Sequence, residues 1–305
     1  MAPRPFLVLS AVVALGCTGE IGGAAEVGTR LDARATDDAG DGAPRDGGLD
    51  APAAPDAWAS PCPAGALCDS FEGYGVGALA DGDVLGFWTA SLATPGATME
   101  LDGVHVTNGV RALHVHVDQG VTAGGRIYAD PGAPVLASHA THVYGRLRMY
   151  VDPSGTSVHW TFAGVEGDAE PSAPLAGNYA AYILSSLPRD GMNTFSFVDG
   201  LSGGAAYQDC WNQSATHMPV ARWACVSFEL DSIARHLSMS LDGTEIMTVD
   251  DTGQGCVDPV AGDSLWYGPI VDRFFVGAWS FHDMDAPLDV WIDDVVLDDQ
   301  PVDCP

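Results

Sequence analysis

From residue 61 onward, apolar and polar positions alternate in short runs broken by Gly, Pro, Asp and Asn. In Arg146-Leu147-Arg148-Met149-Tyr150-Val151 the period is two, so Leu147, Met149 and Val151 face one way and Arg146, Arg148 and Tyr150 the other. Val158, Trp160 and Phe162 likewise oppose His159 and Thr161, and Leu237, Met239 and Leu241 oppose His236, Ser238 and Ser240. The same alternation predicts strands over 67–73, 98–106, 112–117, 125–129, 143–151, 158–165, 178–184, 193–198, 206–211, 223–230, 237–241, 245–249, 273–281 and 289–297. Asp242-Gly243 lies between two of these runs and predicts a hairpin turn. No run has three turns of helical amphipathicity. About a dozen short strands in roughly 245 residues predict an all-β, two-sheet antiparallel jelly-roll sandwich spanning 61–305.

The first 60 residues follow another pattern. Residues 6–15 form an apolar stretch after a single charge, Arg4, and are too short to span a bilayer as a helix. They fit the apolar core of a signal peptide. Ala14-Leu15-Gly16-Cys17 is similar to a bacterial lipobox, so Cys17 is the expected lipidation site and residues 1–17 the export segment. Residues 18–60 are Ala, Gly, Asp and Pro with almost no large apolar side chains, and such a segment cannot offset its own chain entropy by burial. A solvated acidic tether is expected there. An outer-membrane or cell-surface lipoprotein follows, or otherwise a secreted protein, touching the membrane only through its lipid.

Charge and cysteine content narrow the partners. With 41 acidic and 12 basic residues the net charge is −29, which repels nucleic acid and anionic membrane surfaces. Cations and neutral ligands are favoured, and a monomer is expected. Setting Cys17 aside leaves Cys62, Cys68, Cys210, Cys225, Cys256 and Cys304, an even set in an exported chain. Up to three disulfides are expected, and the spacing does not choose among the pairings.

If the polar rows of several strands share one exposed face, that face carries Arg146, Arg148, Tyr150, His159 and Thr161, which suit sugar hydroxyls. His114 and His116 share a strand face as a metal pair could, but no third ligand is identifiable, so surface histidines are expected. Glu166-Gly167-Asp168-Ala169-Glu170 matches the alternating carboxylates of jelly-roll glucanases. The intervening Gly and Ala and the following Pro171 predict an acidic loop instead.

Three short stretches carry a family resemblance: Leu67-Cys68-Asp69-Ser70-Phe71-Glu72, Arg222-Trp223-Ala224-Cys225-Val226-Ser227-Phe228-Glu229 and Trp291-Ile292-Asp293-Asp294-Val295. They resemble concanavalin-A-like jelly rolls of the polysaccharide-lyase-like group, which includes alginate and glucuronan lyases and a fungal cellulose-induced protein. The resemblance spans residues 62–304. It implies a structural calcium held by Glu72 and Asp293, with Asp294 the alternative and Asp81 and Asp83 as further oxygen donors. For activity it aligns Arg146-Leu147-Arg148 with the arginine strand of the lyases, and Ser157-Val158-His159 with their histidine strand. Phe275-Val276-Gly277-Ala278-Trp279 has Trp where the lyases place the acid/base tyrosine. The resemblance thus implies polysaccharide binding by Arg146, Arg148, Tyr150, His159 and Thr161. The alternative is a β-eliminating lyase with Arg148 as neutraliser and His159 as base, Tyr150 standing in for the missing tyrosine. A third possibility is a non-catalytic envelope or adhesion module that binds protein.

Overall fold

The computed structural model describes residues 62–304 apart from 154–155, 174–175, 199–207 and 251–266, and the side chains of 197–198 and 208–211 are also left aside. The signal segment, Cys17 and the tether lie outside the described residues, as does Cys256.

The chain folds into two antiparallel sheets. The first, sheet A, has nine strands: β1 (Leu67–Asp69), β2 (Gly77–Ala78), β5 (Ala97–Asp102), β6 (Ala112–Val117), β8 (His142–Val151), β13 (Trp223–Asp231), β14 (His236–Leu241), β15 (Thr244–Val249) and β17 (Leu288–Asp298). The second, sheet B, has eight: β3 (Val84–Leu85), β4 (Trp88–Leu92), β7 (Gly124–Ala129), β9 (Trp160–Ala169), β10 (Tyr179–Leu187), β11 (Gly191–Val198), β12 (Gln208–Ser214) and β16 (Pro269–Ser280). Their orders are β15-β14-β13-β8-β17-β6-β5-β2, with β1 also on β17, and β12-β11-β10-β9-β16-β7-β4-β3. Consecutive hairpin strands (β13–β15 and β9–β12) are joined in each sheet to strands far away in sequence, through β8–β17–β6 and β9–β16–β7. The only helix among the described residues is a single 3-10 turn, Leu136–Ser138.

The alternation read from the sequence sets which face is dry. Leu147, Met149, Val226, Phe228, Met239, Val290 and Ile292 from sheet A meet Trp160, Phe162, Leu184, Phe274 and Val276 from sheet B in one buried cluster. Trp88 is fully buried, and its indole N–H donates to Asp69 Oδ2 at 2.7 Å, so β4 of sheet B is fastened to β1 of sheet A by a buried hydrogen bond. Two disulfides, Cys62–Cys68 and Cys225–Cys304, tie the beginning and end of the domain to sheet A. Both fit an oxidising, extracellular compartment.

Two expectations need correction. Strand β9 does not stop at 165 but runs on to Ala169, so Glu166-Gly167-Asp168-Ala169 is strand and not an acidic loop. The glycine that suggested a loop is there for close packing. A Cβ on Gly167 would lie 1.8 Å from the Ile270 carbonyl oxygen of β16, so only glycine lets the two strands approach at that point. The second correction concerns the polar rows. Strand β8, with Arg146, Arg148 and Tyr150, belongs to sheet A, whereas Thr161 lies at the start of β9 in sheet B and His159 immediately precedes that strand. Local alternation is correct in both strands, but the chain crosses the sandwich between them. The two rows therefore lie on opposite outer faces and form no common site.

Candidate functional site

Register places three rows of side chains on the outer face of sheet B. Asn193, Ser185, Thr161 and Trp279 are directly paired across β11, β10, β9 and β16. The next row is Phe195, Ile183, Gly164, Phe275 and Tyr128, and beyond it lie Ala181, Glu166 and Arg273. Arg126, two residues before Tyr128 on β7, points to the same side. Although this face is turned away from the core, Ala181, Ile183 and Phe275 form a buried cluster of their own upon it, with Tyr128 and Phe195 packed around. Thr161, Ser185, Asn193, Arg126 and Glu166 are also buried. The polar groups of this face are therefore largely withdrawn from water.

Arg126 is the centre of this buried polar and aromatic cluster. Its guanidinium carbon lies 4.2 Å from the Phe275 ring centre, 5.5 Å from that of Trp279 and 5.8 Å from that of Phe281. A Cβ on Gly164 would fall 2.5 Å from Phe275 Cζ, so the glycine leaves room for the ring on which the guanidinium rests. Arg126 donates through Nη2 to Thr161 Oγ1 and through Nη1 to the Tyr128 hydroxyl at 3.4 Å. No carboxylate forms an ion pair with it among the described residues.

Several buried polar atoms here have no hydrogen-bond partner: Arg126 Nε, Ser185 Oγ, Asn193 Oδ1 and His159 Nε2. Leaving one such group unmade costs about 1–3 kcal/mol. Four such atoms lie near one end of this face. Burial lowers the His159 pKa to about 4, and His282 adds to the effect, so this imidazole is neutral at physiological pH. Beyond Arg126, burial raises the Glu166 pKa against the pull of Arg273, whose Nη1 lies 3.7 Å from Glu166 Oε2. Tyr179, hydrogen-bonded to Glu166, is held protonated by burial and by that carboxylate.

The outer face of sheet A holds the other expected residues. Arg148 Nε is 3.4 Å from Asp294 Oδ2, and Arg146 Nη1 donates to the Asp303 carbonyl at 2.8 Å. The Tyr150 ring stacks on His105 at 3.8 Å and meets Trp291 edge-on at 5.8 Å. These three residues thus fasten β8 to its neighbours.

Asp293 and Asp294 form a second polar centre. A bulge in β17 against β8 puts Asp294 at φ 50°, which brings its carboxylate beside that of Asp293. Both accept from the Thr107 hydroxyl, at 2.8 and 3.1 Å, and Asn108 Nδ2 donates to Asp294 at 2.7 Å. Asp294 Oδ1 is buried without a partner, and burial together with the neighbouring charge raises the Asp293 pKa to about 6. Two adjacent buried carboxylates with an unused oxygen fit a hard cation. Glu72 holds the other end of the same loop, its Oε1 accepting from the Val110 and Arg111 amides at 2.7 and 2.8 Å. Asp81 and Asp83 are elsewhere, accepting from the Leu92 and Ala80 amides around the β3–β4 hairpin.

Sequence reasoning missed Arg126, Ser185 and Asn193. Arg126 follows two glycines in a short run, and Ser185 and Asn193 sit at positions whose neighbours in space are set by register alone. It also found no third group beside His114 and His116, whereas the structure brings Asp289, Glu100 and Asp102 to them.

No protein-family model matches the sequence, and no curated protein matches it. Solved structures do match. The chain is similar to one titled "Cellulose induced protein, Cip1" at 17% identity and TM-score 0.50, covering 78% of this chain and 100% of that one. An endo-β-1,4-glucuronan lyase from the fungus Trichoderma reesei matches at 11% identity and TM-score 0.47, covering 68% of this chain and 89% of that one. A botulinum neurotoxin DC binding domain matches at 9% identity and TM-score 0.40, over 72% and 45%. With the two sheets and their order, the first likeness defines a concanavalin-A-like jelly roll, as the sequence resemblance implied.

Proposed function

We propose that this is an exported carbohydrate-binding protein that seats a glycan on the outer face of sheet B, around Arg126. The observation that carries this reading is the set of buried, unpartnered polar atoms on Arg126, Ser185 and Asn193 beside the Phe275, Trp279 and Phe281 rings. Stacking rings and unsatisfied donors and acceptors are what a sugar requires, since its ring faces are apolar and its edge is hydroxylated. Arg126 adds a choice of ligand. A buried guanidinium without an ion pair favours a glycan carrying a carboxylate, while the net charge of −29 opposes a continuous polyanion. A glycan with isolated acidic sugars meets both conditions. Calcium held by Asp293 and Asp294, with Glu72 bracing their loop, would stiffen the opposite sheet. The lipid on Cys17 and the acidic tether would hold the domain off the cell surface.

A second reading is a β-eliminating lyase on the same face. It is favoured by His159, whose neutral imidazole has a buried, unpartnered Nε2 and could accept a proton. One titration separates the two. Glycans with and without uronic acid are titrated into the protein while ultraviolet absorbance follows unsaturated products. Binding without absorbance supports the first reading, and absorbance lost in His159→Gln supports the second. No binding of any acidic glycan overturns both.

A further inference from the structure

On the outer face of sheet A, on the other side of the sandwich from Arg126, β5 and β6 bring together a nitrogen and two carboxylates. Glu100 is directly paired with His114, and Asp102 lies two residues along β5 on the same face. His114 Nδ1 is 3.1 Å from Asp102 Oδ2 and 3.4 Å from Glu100 Oε1. One ligand atom from each of the three lies within 4.8 Å of the others. We propose that Glu100, Asp102 and His114 form a binding site for a divalent transition cation of the zinc class.

The surroundings hold this set as they would hold metal ligands. His114 Nε2 is 2.9 Å from Asp289 Oδ1. An imidazole that donates Nε2–H to a carboxylate keeps its lone pair on Nδ1, the tautomer a metal needs, and this outer carboxylate is a regular partner of metal-bound histidine. The His114 ring is stacked on Trp291 at 4.0 Å and 10°, which fixes its plane. The Trp291 indole N–H donates to Asp102 Oδ1 at 3.0 Å, and the Val104 amide donates to the same oxygen at 3.0 Å. Oδ2 is thereby turned towards His114. In that tautomer three lone pairs converge, the Trp291 indole N–H reaching only the outer side of Asp102 Oδ2 at 3.3 Å, and a cation about 2.0–2.2 Å from each would resolve the repulsion. The imidazole nitrogen selects against calcium and magnesium, which prefer all-oxygen shells. His116 extends the network, with Nδ1 2.8 Å from the same Asp289 oxygen.

The competing arrangement is an imidazolium that donates from both nitrogens and needs no metal. Calorimetric titration of the chelator-treated full chain with zinc chloride at mildly alkaline pH, in excess calcium to fill oxygen-only sites, separates the two. The site predicts one tight equivalent of zinc. His114→Gln should abolish it, and Glu100→Gln, at a half-exposed position, should weaken it at least tenfold while leaving the circular dichroism unchanged. Asp289→Asn should weaken it about 10–100-fold. No tight zinc equivalent in the wild type, or an isotherm that Glu100→Gln and His114→Gln both leave unchanged, overturns the proposal.

Discussion

The guanidinium of Arg126 lies over the Phe275 ring, 4.2 Å from its centre, on the side of sheet B that faces away from the core. A cation buried on an aromatic ring, hydrogen-bonded only to hydroxyls and without a carboxylate in direct contact, feels Glu166 only at a distance. Arg126→Ala should therefore weaken binding of an acidic glycan by about 1.5–3 kcal/mol, the scale of a hydrogen bond to a charged group. Arg126→Lys should recover only part of this, because an ammonium neither stacks nor presents a planar fork. Isothermal titration with an acidic oligosaccharide measures both.

His159 should give acid sensitivity of predictable sign. Its folded pKa of about 4 lies below the ordinary 6.5. Between those values the unfolded chain takes up a proton that the folded chain refuses, so stability falls as pH drops from 6.5 towards 4. Asp293, raised to about 6, acts with the opposite sign over part of this window, so the His159 contribution is read as the difference between wild type and His159→Gln in denaturant unfolding at a series of pH values. The stability of the wild type relative to His159→Gln should fall as pH drops from 6.5 towards 4.

The paired carboxylates Asp293 and Asp294 should make the domain respond to calcium. A cation that binds only the folded state adds about 2.7 kcal/mol at a hundredfold excess over its dissociation constant. Melting temperature should rise with calcium and fall in chelator, and Asp294→Asn should reduce the response. A melting curve indifferent to calcium would remove the cation from this account.

Gly167 should not tolerate a side chain. The 1.8 Å approach that a Cβ would make to the Ile270 carbonyl involves backbone on both sides, so Gly167→Ala must separate β9 from β16. Overpacking of this kind costs about 1–3 kcal/mol, which a denaturant midpoint would register.

The same glycine shows where the sequence was legible and where it was not. Period-two alternation within a strand is local, and Leu147, Met149, Trp160 and Phe162 all point into the core as it predicts. The two-sheet architecture follows from that pattern and from the turn residues. What local pattern cannot carry is the identity of a strand's neighbours. β8 and β9 are consecutive yet lie in different sheets, so Arg148 and His159, each on the polar side of its own strand, face opposite ways. Gly167 looked like a loop residue because the backbone it accommodates, at Ile270, is about a hundred residues further along. Ser185, Asn193 and Thr161 form a row only through the register of β9, β10 and β11. Asp289 and Asp102 reach His114 only because β17 and β5 flank β6.

Ser185→Ala tests the central claim most directly, because a binding role and a purely structural role predict opposite signs. Ser185 Oγ is buried and unpartnered. If it is kept for a ligand, removing it relieves a desolvation cost of about 1 kcal/mol in the free protein. The melting temperature should then rise by roughly 2–4 °C, while affinity for an acidic glycan falls several-fold. Melting and titration of the one variant give both numbers. A lowered melting temperature with unchanged glycan affinity would mean that the hydroxyl serves the fold, and would contradict a glycan site on this face.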